Sequence, residues 1–325
     1  MKYLITGGAG FIGSHLTETL LNSGHHVTIL DDMSTGTYNN INHYKKHEKL
    51  NFILGSILDV NLVQDLVSKC DQVYHLAAVV GVKHVMKNPV ETIRINTLGT
   101  ENILHFCSKY GKKVLIASTS EVYGKAMQIK KGNKGLNEGD DSIFGATKIR
   151  RWSYATSKAL DEFLSLAYYQ EKNLPVVIVR FFNTVGPRQL GEYGMVIPIF
   201  VSKALLGDPI PIFGDGNQRR SFTYVGDVIN GIIRLMENKK AEGQVINIGN
   251  PDEISINDLA KLIIKQTNSK SKIEYISYEK AYGHGFEDMS RRKPDISKIN
   301  KLIGFQPTLG IEEIVEQVVK YMKSI

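Results

Sequence analysis

The chain has 325 residues, of which 42% are hydrophobic, and it carries a formal net charge of +7. This length can bury one large core or two smaller ones, and two cysteines are too few for a disulfide framework, which indicates a reducing, cytoplasmic compartment. The cations are spread over helix faces and loops without interleaved aromatic residues, and apolar runs stay short of the roughly 20 residues of a membrane span, so neither a nucleic acid nor a membrane is expected as a partner.

Strands and helices alternate through the first half of the chain. Short apolar runs predict strands at residues 2–6, 26–31, 51–54, 72–76 and 113–118. Apolar positions spaced by three and four predict helices at 11–23, 60–69, 89–110 and about 152–172. A further strand is predicted at 176–180. This alternation predicts a Rossmann-type, doubly wound parallel sheet.

The pattern changes after Asn183, where Gly and Pro punctuate the loops. Shorter helices are predicted at 195–206, 227–237 and 255–266. We expect a dinucleotide-binding domain at residues 1–182 and a smaller C-terminal substrate-binding lobe at 183–325, with an interleaved boundary. Arginines concentrate in this second half, and their planar, permanently charged side chains suit a small polyanionic ligand.

A glycine-rich turn links the first predicted strand to the first predicted helix. Gly7, Gly10 and Gly13 allow the backbone to approach a pyrophosphate, and the N-terminus of the helix faces its negative charge. Asp31 ends the second strand, where a carboxylate accepts hydrogen bonds from the adenosine ribose and repels a 2′-phosphate. The sequence therefore predicts a dinucleotide site that prefers NAD to NADP.

Tyr154 and Lys158 enclose a second motif, Tyr-Ala-Thr-Ser-Lys. A phenol titrates at about pH 10, so it is a poor base at neutral pH unless a cation stabilises the phenolate. On a helix, a spacing of four residues places the lysine on the same face as the tyrosine, and an oxidised nicotinamide adds a second positive charge. We therefore expect Tyr154 to act as a base beside a bound dinucleotide.

Six short sequence blocks carry a resemblance to a known family that extends over nearly the whole chain. They lie at residues 6–13, 75–78, 118–124, 154–158, 180–188 and 214–224. Together they resemble the extended short-chain dehydrogenase/reductase family of nucleotide-sugar epimerases, dehydratases and decarboxylases. The resemblance implies a UDP-sugar substrate and a tightly held NAD that is reduced and reoxidised within one catalytic cycle.

The resemblance also assigns contacts with the cofactor. Asp59 would lie near the adenine, and Lys158 would contact the nicotinamide ribose. Ala77 and Ala78 would line the cofactor. Further positions assigned to cofactor binding are Phe11, Ile12, Ile57, Leu76 and Asn96.

Catalytic and substrate contacts follow from the same resemblance. Tyr154 would remove the proton of the sugar 4-hydroxyl as hydride leaves C4 for NAD, and Thr119 would align that hydroxyl. Asn183 would contact the diphosphate or the sugar, and Arg220 would pair with the diphosphate, because an arginine fork matches two phosphate oxygens at once. Arg188 is a further candidate for substrate binding. No metal site is expected, since the histidines show no metal-ligand spacing with cysteines or acids.

Glu121 bears on the step that follows oxidation at C4. In the family's 4,6-dehydratases the matching stretch is threonine, aspartate, glutamate, and the aspartate protonates the departing 6-hydroxyl. Here the middle position is Ser120, whose hydroxyl is too weak an acid for that role. The stretch Thr119-Ser-Glu-Val-Tyr-Gly124 is instead the usual form in UDP-hexuronate decarboxylases, which this sequence resembles most closely.

Three local segments, at 148–154, 246–251 and 282–295, resemble UDP-glucuronate decarboxylases as well. In such enzymes the arginine matching Arg292 is catalytic or binds the substrate, and a cation there would hold the hexuronate carboxylate or donate a proton after carbon dioxide leaves. Once C4 is a ketone, the C6 carboxylate belongs to a β-keto acid. Loss of this carboxylate as carbon dioxide gives an enolate. Tyr154 and Thr119 would hold the oxyanion of that enolate. The product is a UDP-pentose if hydride returns from NADH and a 4-keto sugar if it does not.

Three alternatives stay open. A UDP-sugar 4-epimerase would use Glu121 only to bind a sugar hydroxyl, and a UDP-N-acetylglucosamine 5,6-dehydratase would use it without the aspartate. A non-catalytic NAD-sensing scaffold is disfavoured because Tyr154, Lys158 and Thr119 are all present. The sequence does not distinguish a 2-hydroxyl from a 2-acetamido group on the sugar.

The family also implies a homodimer joined by a four-helix bundle, which would use the helices near 90–110 and 152–172. The apolar residues that these helices offer are Leu98, Ile103, Phe106, Leu160, Phe163 and Leu164. The same side chains could equally face the core of one subunit.

Overall fold

The computed structural model describes residues 1–130, 134–191, 194–282 and 289–325, apart from the side chains of residues 82, 83 and 282. The strands are β1 (Lys2–Thr6), β2 (His26–Asp31), β3 (Leu50–Leu54), β4 (Gln72–His75), β5 (Lys113–Thr119), β6 (Val176–Phe181), β7 (Thr184–Val185), β8 (Ile210–Phe213), β9 (Arg219–Ser221), β10 (Thr223–Tyr224), β11 (Gln244–Ile248), β12 (Glu253–Ser255), β13 (Ile273–Ile276) and β14 (Arg291–Arg292). The helices are α1 (Phe11–Asn22), α2 (Val60–Lys69), α3 (Val82–Lys87), α4 (Pro89–Tyr110), α5 (Ala126–Ile129), α6 (Trp152–Lys172), α7 (Val196–Leu206), α8 (Val225–Glu237), α9 (Ile256–Thr267), α10 (Tyr278–Tyr282), α11 (Ser297–Ile303) and α12 (Ile311–Ser324).

The largest sheet has seven strands in the order β11-β6-β5-β4-β1-β2-β3, and all of its pairs are parallel. Thr6 at the end of β1 pairs with Leu30 on β2 and with His75 on β4. The chain builds outward from β1 to β3, returns to β4 and then builds outward in the other direction. This order confirms the predicted Rossmann-type, doubly wound sheet.

Helices cover both faces of this sheet, which is why its strands read as nearly continuous apolar runs. Neighbouring residues of β1 belong to separate core clusters, Ile5 to one and Leu4 to the other, because successive side chains point to opposite faces. On the Ile5 face, α1 and α8 contribute Leu16 and Ile232. On the Leu4 face, α2 and α4 contribute Val67 and Ile103. The helices packed on both faces hold the seven strands in place, and with them the edge of the sheet at which their carboxyl ends lie.

A smaller lobe has its own core, formed by α7, α9 and α12 around β8. Its short strands form the sheets β12-β9-β14 and β13-β8. The structure therefore contains the predicted smaller C-terminal lobe. Two later elements, α8 and β11, pack with the large sheet, so residues after 183 contribute to both parts. The division at residues 182 and 183 stays a prediction.

Apolar residues of α4 and α6 divide between the core and the surface. Ile103 and Phe106 are buried in the core of the subunit itself, and Leu164 is half-buried. The exposed ones among the six named above are Leu98, Leu160 and Phe163. The surface of these two helices thus retains an apolar face.

Both cysteines, Cys70 and Cys107, are buried and free. None of the helices in the described ranges is long and apolar enough to cross a membrane. Among the same residues, no group of three or more His, Cys, Asp or Glu side chains is arranged to hold a metal ion.

Candidate active site

A cavity of about 520 Å³ opens at the edge where the strands of the large sheet end. The sheet and the turns after it contribute Gly7, Asp31, Leu76, Thr119 and Asn183 to its wall. The smaller lobe contributes Arg220 and Arg292. Open α/β sheets bind ligands in the crevice outside the carboxyl ends of their strands, at the point where the strand order reverses. The cavity occupies this position.

The turn between β1 and α1 has room for backbone only. Gly7 has a φ of +72°, and a Cβ there would lie 2.8 Å from the amide nitrogen of Ala77. A Cβ on Gly13 would lie 2.1 Å from the carbonyl oxygen of Gly7. Helix α1 begins at Phe11, after Gly10 and without a side-chain cap, so its first N–H groups remain available to an anion. This cradle fits the pyrophosphate of a dinucleotide.

Asp31 is held at the end of β2 by two backbone N–H groups. Its Oδ2 accepts from Ala9 and its Oδ1 accepts from Met33, each at 2.9 Å. Burial raises the pKa of Asp31, and these two hydrogen bonds oppose that rise. The fixed carboxylate keeps lone pairs for ribose hydroxyls and disfavours a 2′-phosphate.

Replacing Gly13 with alanine is expected to weaken NAD binding by roughly ten- to hundredfold, because a methyl group forced into a packed site costs on this scale. The methyl group would have to displace the carbonyl of Gly7, which is part of the cradle itself. Calorimetric titration of NAD measures the effect. Gly139→Ala is the matched control, since a Cβ there meets only Asn137 Oδ1 at 3.3 Å. Equal affinities in the two variants would show that the turn is not the cofactor cradle.

Three residues assigned to the cofactor from sequence do not line the cavity: Asn96, Asp59 and Lys158. Asn96 is buried behind it, where its Oδ1 accepts the N–H of Val79 at 2.8 Å and its Nδ2 donates to the Val79 carbonyl at 3.3 Å. Asp59 caps α2 by accepting the N–H of Leu62 at 3.0 Å, as aspartate commonly does at a helix start. The assigned residues that do line the cavity are Gly7, Gly10, Phe11, Ile12, Gly13, Asp31, Ile57, Leu76, Ala77, Ala78 and Tyr154.

Tyr154 lies in the first turn of α6, next to Thr119 at the end of β5. Burial raises the pKa of Tyr154 well above its ordinary value, and the carboxylate of Glu121 adds to the rise. A hydrogen bond with the Thr119 hydroxyl opposes it. In the protein alone the phenol therefore keeps its proton, and added positive charge is needed to stabilise the phenolate.

Lys158 lies outside the described lining of the cavity. Its Nζ donates to Oδ2 of Asp161 at 2.8 Å, and the two side chains are only 2% and 1% exposed. The lysine that was expected to assist Tyr154 is thus paired with a carboxylate of its own helix.

Glu121 stands between two buried arginines. Its Oε1 lies 2.6 Å from Nη2 of Arg292, and its Oε2 lies 3.2 Å from Nη2 of Arg151. The side chains of Arg151 and Arg292 are 4% and 9% exposed. A longer contact of 3.4 Å joins Nη1 of Arg292 to Oγ of Ser120. All four residues line the cavity together with Tyr154.

Arg151 is the site residue that sequence reasoning missed. It immediately precedes α6, so the helix that carries Tyr154 also sets the backbone position of Arg151. Its neighbour Arg150 is exposed. The basic pair before the helix was a visible signal, but the sequence does not tell which guanidinium group turns inward.

The segment that carries Arg292 is hydrogen-bonded both to the smaller lobe and to the large sheet. Strand β14 pairs with β9, and the Ser221 hydroxyl donates to the carbonyl of Arg292 at 3.3 Å. Nearby, Nδ2 of the fully buried Asn247 on β11 donates to the carbonyls of Leu136 and Asp295, at 2.9 and 3.2 Å. These bonds place Arg292 against Glu121. Of the segment 282–295 noted in the sequence, residues 283–288 lie outside the described ones.

Asn183 and Arg220, both assigned to the substrate from sequence, line the cavity. Asn183 has a φ of +35°, and its Nδ2 donates to the Ser221 carbonyl at 2.7 Å. Arg220 is buried, and its Nη1 donates to the carbonyl of Arg219 at 2.9 Å. A buried guanidinium group at this wall suits an anion.

Arg188, the third residue assigned to the substrate, also lines the cavity. Its Nη2 pairs with Glu18 on α1 and lies 3.1 Å from Nε2 of His43. Its φ of +70° is unusual for a residue with a side chain. As placed, this guanidinium group serves the junction with α1.

Comparison with known proteins adds to this geometry. The family model described as GDP-mannose 4,6 dehydratase matches residues 4–318. UDP-N-acetyl-alpha-D-glucosaminuronate decarboxylase from Bacillus cytotoxicus is 46% identical over 100% of this chain and 98% of that protein. UDP-glucuronic acid decarboxylase 1 from Xenopus tropicalis is 36% identical over 99% of this chain and 72% of that protein.

A solved structure shares the whole fold. UDP-glucuronic acid 4-epimerase from Bacillus cereus, in complex with UDP-glucuronic acid and NAD, superposes with a TM-score of 0.88 at 32% identity. The match covers 100% of this chain and 99% of that one. Decarboxylases are thus among the sequence relatives, and an epimerase is among the structural neighbours.

Proposed function

Because this chain belongs to the dehydrogenase/reductase family described as GDP-mannose 4,6 dehydratase, we propose that it is an NAD-dependent enzyme that decarboxylates a UDP-hexuronate. Identity of 46% over its full length to a UDP-N-acetylglucosaminuronate decarboxylase supports this reaction. The 2-acetamido sugar is accordingly the first substrate to test, followed by UDP-glucuronate.

The observation that carries the proposal is the Arg151–Glu121–Arg292 cluster beside Tyr154. Two guanidinium groups flank one carboxylate in a largely buried part of the cavity wall. A guanidinium group offers paired N–H donors that match the two oxygens of a carboxylate. The C6 carboxylate of a hexuronate is such a group, whereas the 6-hydroxyl of a neutral hexose is not.

The first half of the reaction belongs to Tyr154 and Thr119. The cradle at Gly7 and Gly13 would hold the pyrophosphate of NAD, whose nicotinamide supplies the hydride acceptor for C4 when the cofactor is bound. Tyr154 takes the proton of the 4-hydroxyl, and Thr119 holds that hydroxyl in line through the hydrogen bond it also makes with the phenol. Arg220 would hold the diphosphate and so keep the sugar ring at this end of the cavity.

The second half belongs to the arginine cluster. With a ketone at C4, the bond between C5 and C6 breaks and carbon dioxide leaves. The electron pair of that bond stays on the sugar and forms the enolate across C5, C4 and the C4 oxygen. Tyr154 and Thr119 hold the enolate oxygen. Glu121 keeps Arg151 and Arg292 aligned on the carboxylate without excess attraction that would resist its departure, and a proton from solvent enters at C5.

Substituting Arg151 with glutamine is expected to lower kcat/KM for the UDP-hexuronate by roughly ten- to hundredfold, the usual worth of a hydrogen bond to a charged group. Affinity for UDP itself should stay unchanged, because the diphosphate contacts lie elsewhere in the cavity. Steady-state kinetics and UDP titration measure the two effects. The exposed neighbour supplies the control, since Arg150→Gln removes the same charge outside the cavity. An equal loss in both variants, or none in either, would remove Arg151 from the site.

Proton NMR of separate incubations tests the substrate class. UDP-glucuronate, UDP-N-acetylglucosaminuronate, UDP-glucose and UDP-N-acetylglucosamine are each added to the purified protein. We expect the H5 pattern of a uronate to disappear as a pentose C5 methylene appears, with the hexoses unchanged. Formation of a galacto-configured hexose or hexuronate with every carbon retained would overturn decarboxylation.

A UDP-sugar 4-epimerase is the second candidate, favoured by the Bacillus cereus epimerase among the structural neighbours. Epimerisation needs the same C4 oxidation by Tyr154 and Thr119. It needs no group that acts at C5 or C6, so Glu121 and Arg292 would serve only to bind the sugar.

We also propose a homodimer, in a cytoplasmic protein, through the exposed apolar face of α4 and α6. Leu98, Leu160 and Phe163 stand out from these helices, and Phe163 is 74% exposed. Burying such side chains against a second copy would remove apolar surface from water.

A further inference from the structure

Asp161 lies on α6, one turn after Lys158, and forms a buried ion pair with it. The distance from Nζ to Oδ2 is 2.8 Å, and both side chains are almost fully buried. Removing two charges from water costs several kcal/mol per ion unless they are paired and hydrogen-bonded. Because Lys158 lies one turn after Tyr154, its pairing with Asp161 constrains the position of the ammonium group relative to the phenol.

The other charged groups near the pair are already matched. Glu162 binds Arg180 through two hydrogen bonds of 2.9 and 2.6 Å. Burial, with a smaller contribution from Lys158, lowers the pKa of His75 to about 3, so this ring on β4 is neutral at physiological pH. Its Nδ1 and Nε2 are occupied by the hydroxyls of Thr6 and Thr100.

Neighbouring groups shift the pKa of Tyr154 in opposite directions. Glu121 and Asp161 raise its pKa in addition to burial, while Thr119 and Arg292 lower it. The negative charge of Asp161 thus opposes formation of the phenolate, and it also offsets the positive charge of Lys158.

We propose that Asp161 is a positioning residue that holds Lys158 back from the cavity and limits how much of the lysine charge reaches Tyr154. The inference rests on the proposed function only in taking Tyr154 as the base. A nicotinamide ribose bound by Lys158 would compete with Asp161 for the hydrogen bonds of the ammonium group. Without the cofactor, Asp161 raises the pKa of Tyr154 and so disfavours the phenolate.

Asp161→Asn tests this, because it keeps the shape of the side chain and removes its charge. The rising limb of the pH profile of kcat/KM, which reports the base in the free enzyme, should move to lower pH by about one unit. Affinity for NAD should increase as Lys158 is released. Asp161→Glu keeps the charge and should retain the wild-type limb, and the exposed Glu171→Gln on the same helix is the matched control.

A second readout does not depend on turnover. The near-ultraviolet absorbance of tyrosinate is titrated in Asp161→Asn and in the double variant that also carries Tyr154→Phe. Their difference isolates Tyr154, and its pKa should be lower than the same difference measured on the wild-type background.

An unshifted limb and an unshifted tyrosinate titration would overturn the proposal. So would a uniform loss of rate at every pH with weaker NAD binding, since that describes a residue needed only for folding. Should Asp161→Asn fold poorly, the double variant Lys158→Met/Asp161→Leu is the second one, because replacing both members of a buried ion pair by apolar residues is often neutral for stability. The tyrosinate pKa of Tyr154 in this double variant should stay close to that of the wild type, since the two removed charges offset each other; a clear rise would overturn the proposal. If Tyr154→Phe itself keeps its activity, the proposed function fails. If Tyr154→Phe is inactive and the limb stays unshifted, only the role of Asp161 fails.

Discussion

Tyr154→Phe is expected to reduce turnover of every UDP-sugar by roughly a hundred- to ten-thousandfold, the range that a general base contributes. The Thr119 hydroxyl remains in this variant, but a hydroxyl is too weak a base to take its place. Binding of NAD should persist, because the cradle at Gly7 and Gly13 is formed by backbone. Product formation and NAD titration on the same preparation measure both effects.

The control for this substitution is Tyr169→Phe, which removes a phenolic hydroxyl from an exposed position on the same helix. It should retain the activity of the wild type. Substantial turnover by Tyr154→Phe would overturn the assigned base and with it the order of steps proposed above.

Glu121→Gln is expected to spare oxidation at C4 and to slow the following step by roughly a hundredfold, a usual effect of disturbing preorganised charge around a transition state. The neutral amide no longer balances Arg151 and Arg292. Loss of the Glu121 carboxylate would remove a partner that aligns the two guanidinium groups and would let them hold the C6 carboxylate more tightly. We therefore expect NADH and a 4-keto hexuronate to accumulate, as measured by NADH absorbance and by NMR of the quenched reaction.

Ser120→Ala gives the matched comparison, because Ser120 follows the same strand and its hydroxyl, among the residues that the structure describes, makes a single long contact with Arg292. It should lose far less activity than Glu121→Gln. Unchanged product formation by Glu121→Gln would instead favour the 4-epimerase, which needs no chemistry beyond C4.

The elements in the first half of the fold could be predicted from the sequence, because the hydrophobic pattern of a few consecutive residues identifies a buried parallel strand or an amphipathic helix. The predicted strands at 2–6 and 26–31 coincide with β1 and β2, and the predicted helices at 60–69 and 89–110 coincide with α2 and α4. Strand β14 has only two residues and exists through its pairing with β9, so no local pattern announces it.

The same limit applies to the candidate site: residues in local motifs are predictable from sequence, and residues defined by distant partners are not. Gly7, Gly13 and Tyr154 lie in motifs whose spacing reflects a strand, a turn or one helix face. Arg151 has meaning only through Glu121, a partner that folding brings to it. For Lys158, helix geometry predicts the face that it shares with Tyr154, and the resemblance adds the contact with the ribose. Asp161 lies three residues further along the same helix, but the burial of the pair depends on the packing around α6.

The measurement that tests decarboxylation most directly follows the carboxyl carbon. UDP-N-acetylglucosaminuronate and UDP-glucuronate labelled at C6 are incubated with the protein in deuterated water, and released carbon dioxide and the remaining sugar are both analysed. We predict that label leaves as carbon dioxide in proportion to the sugar consumed and that deuterium enters at C5. Label retained in a sugar with altered configuration at C4 would contradict the account and identify an epimerase.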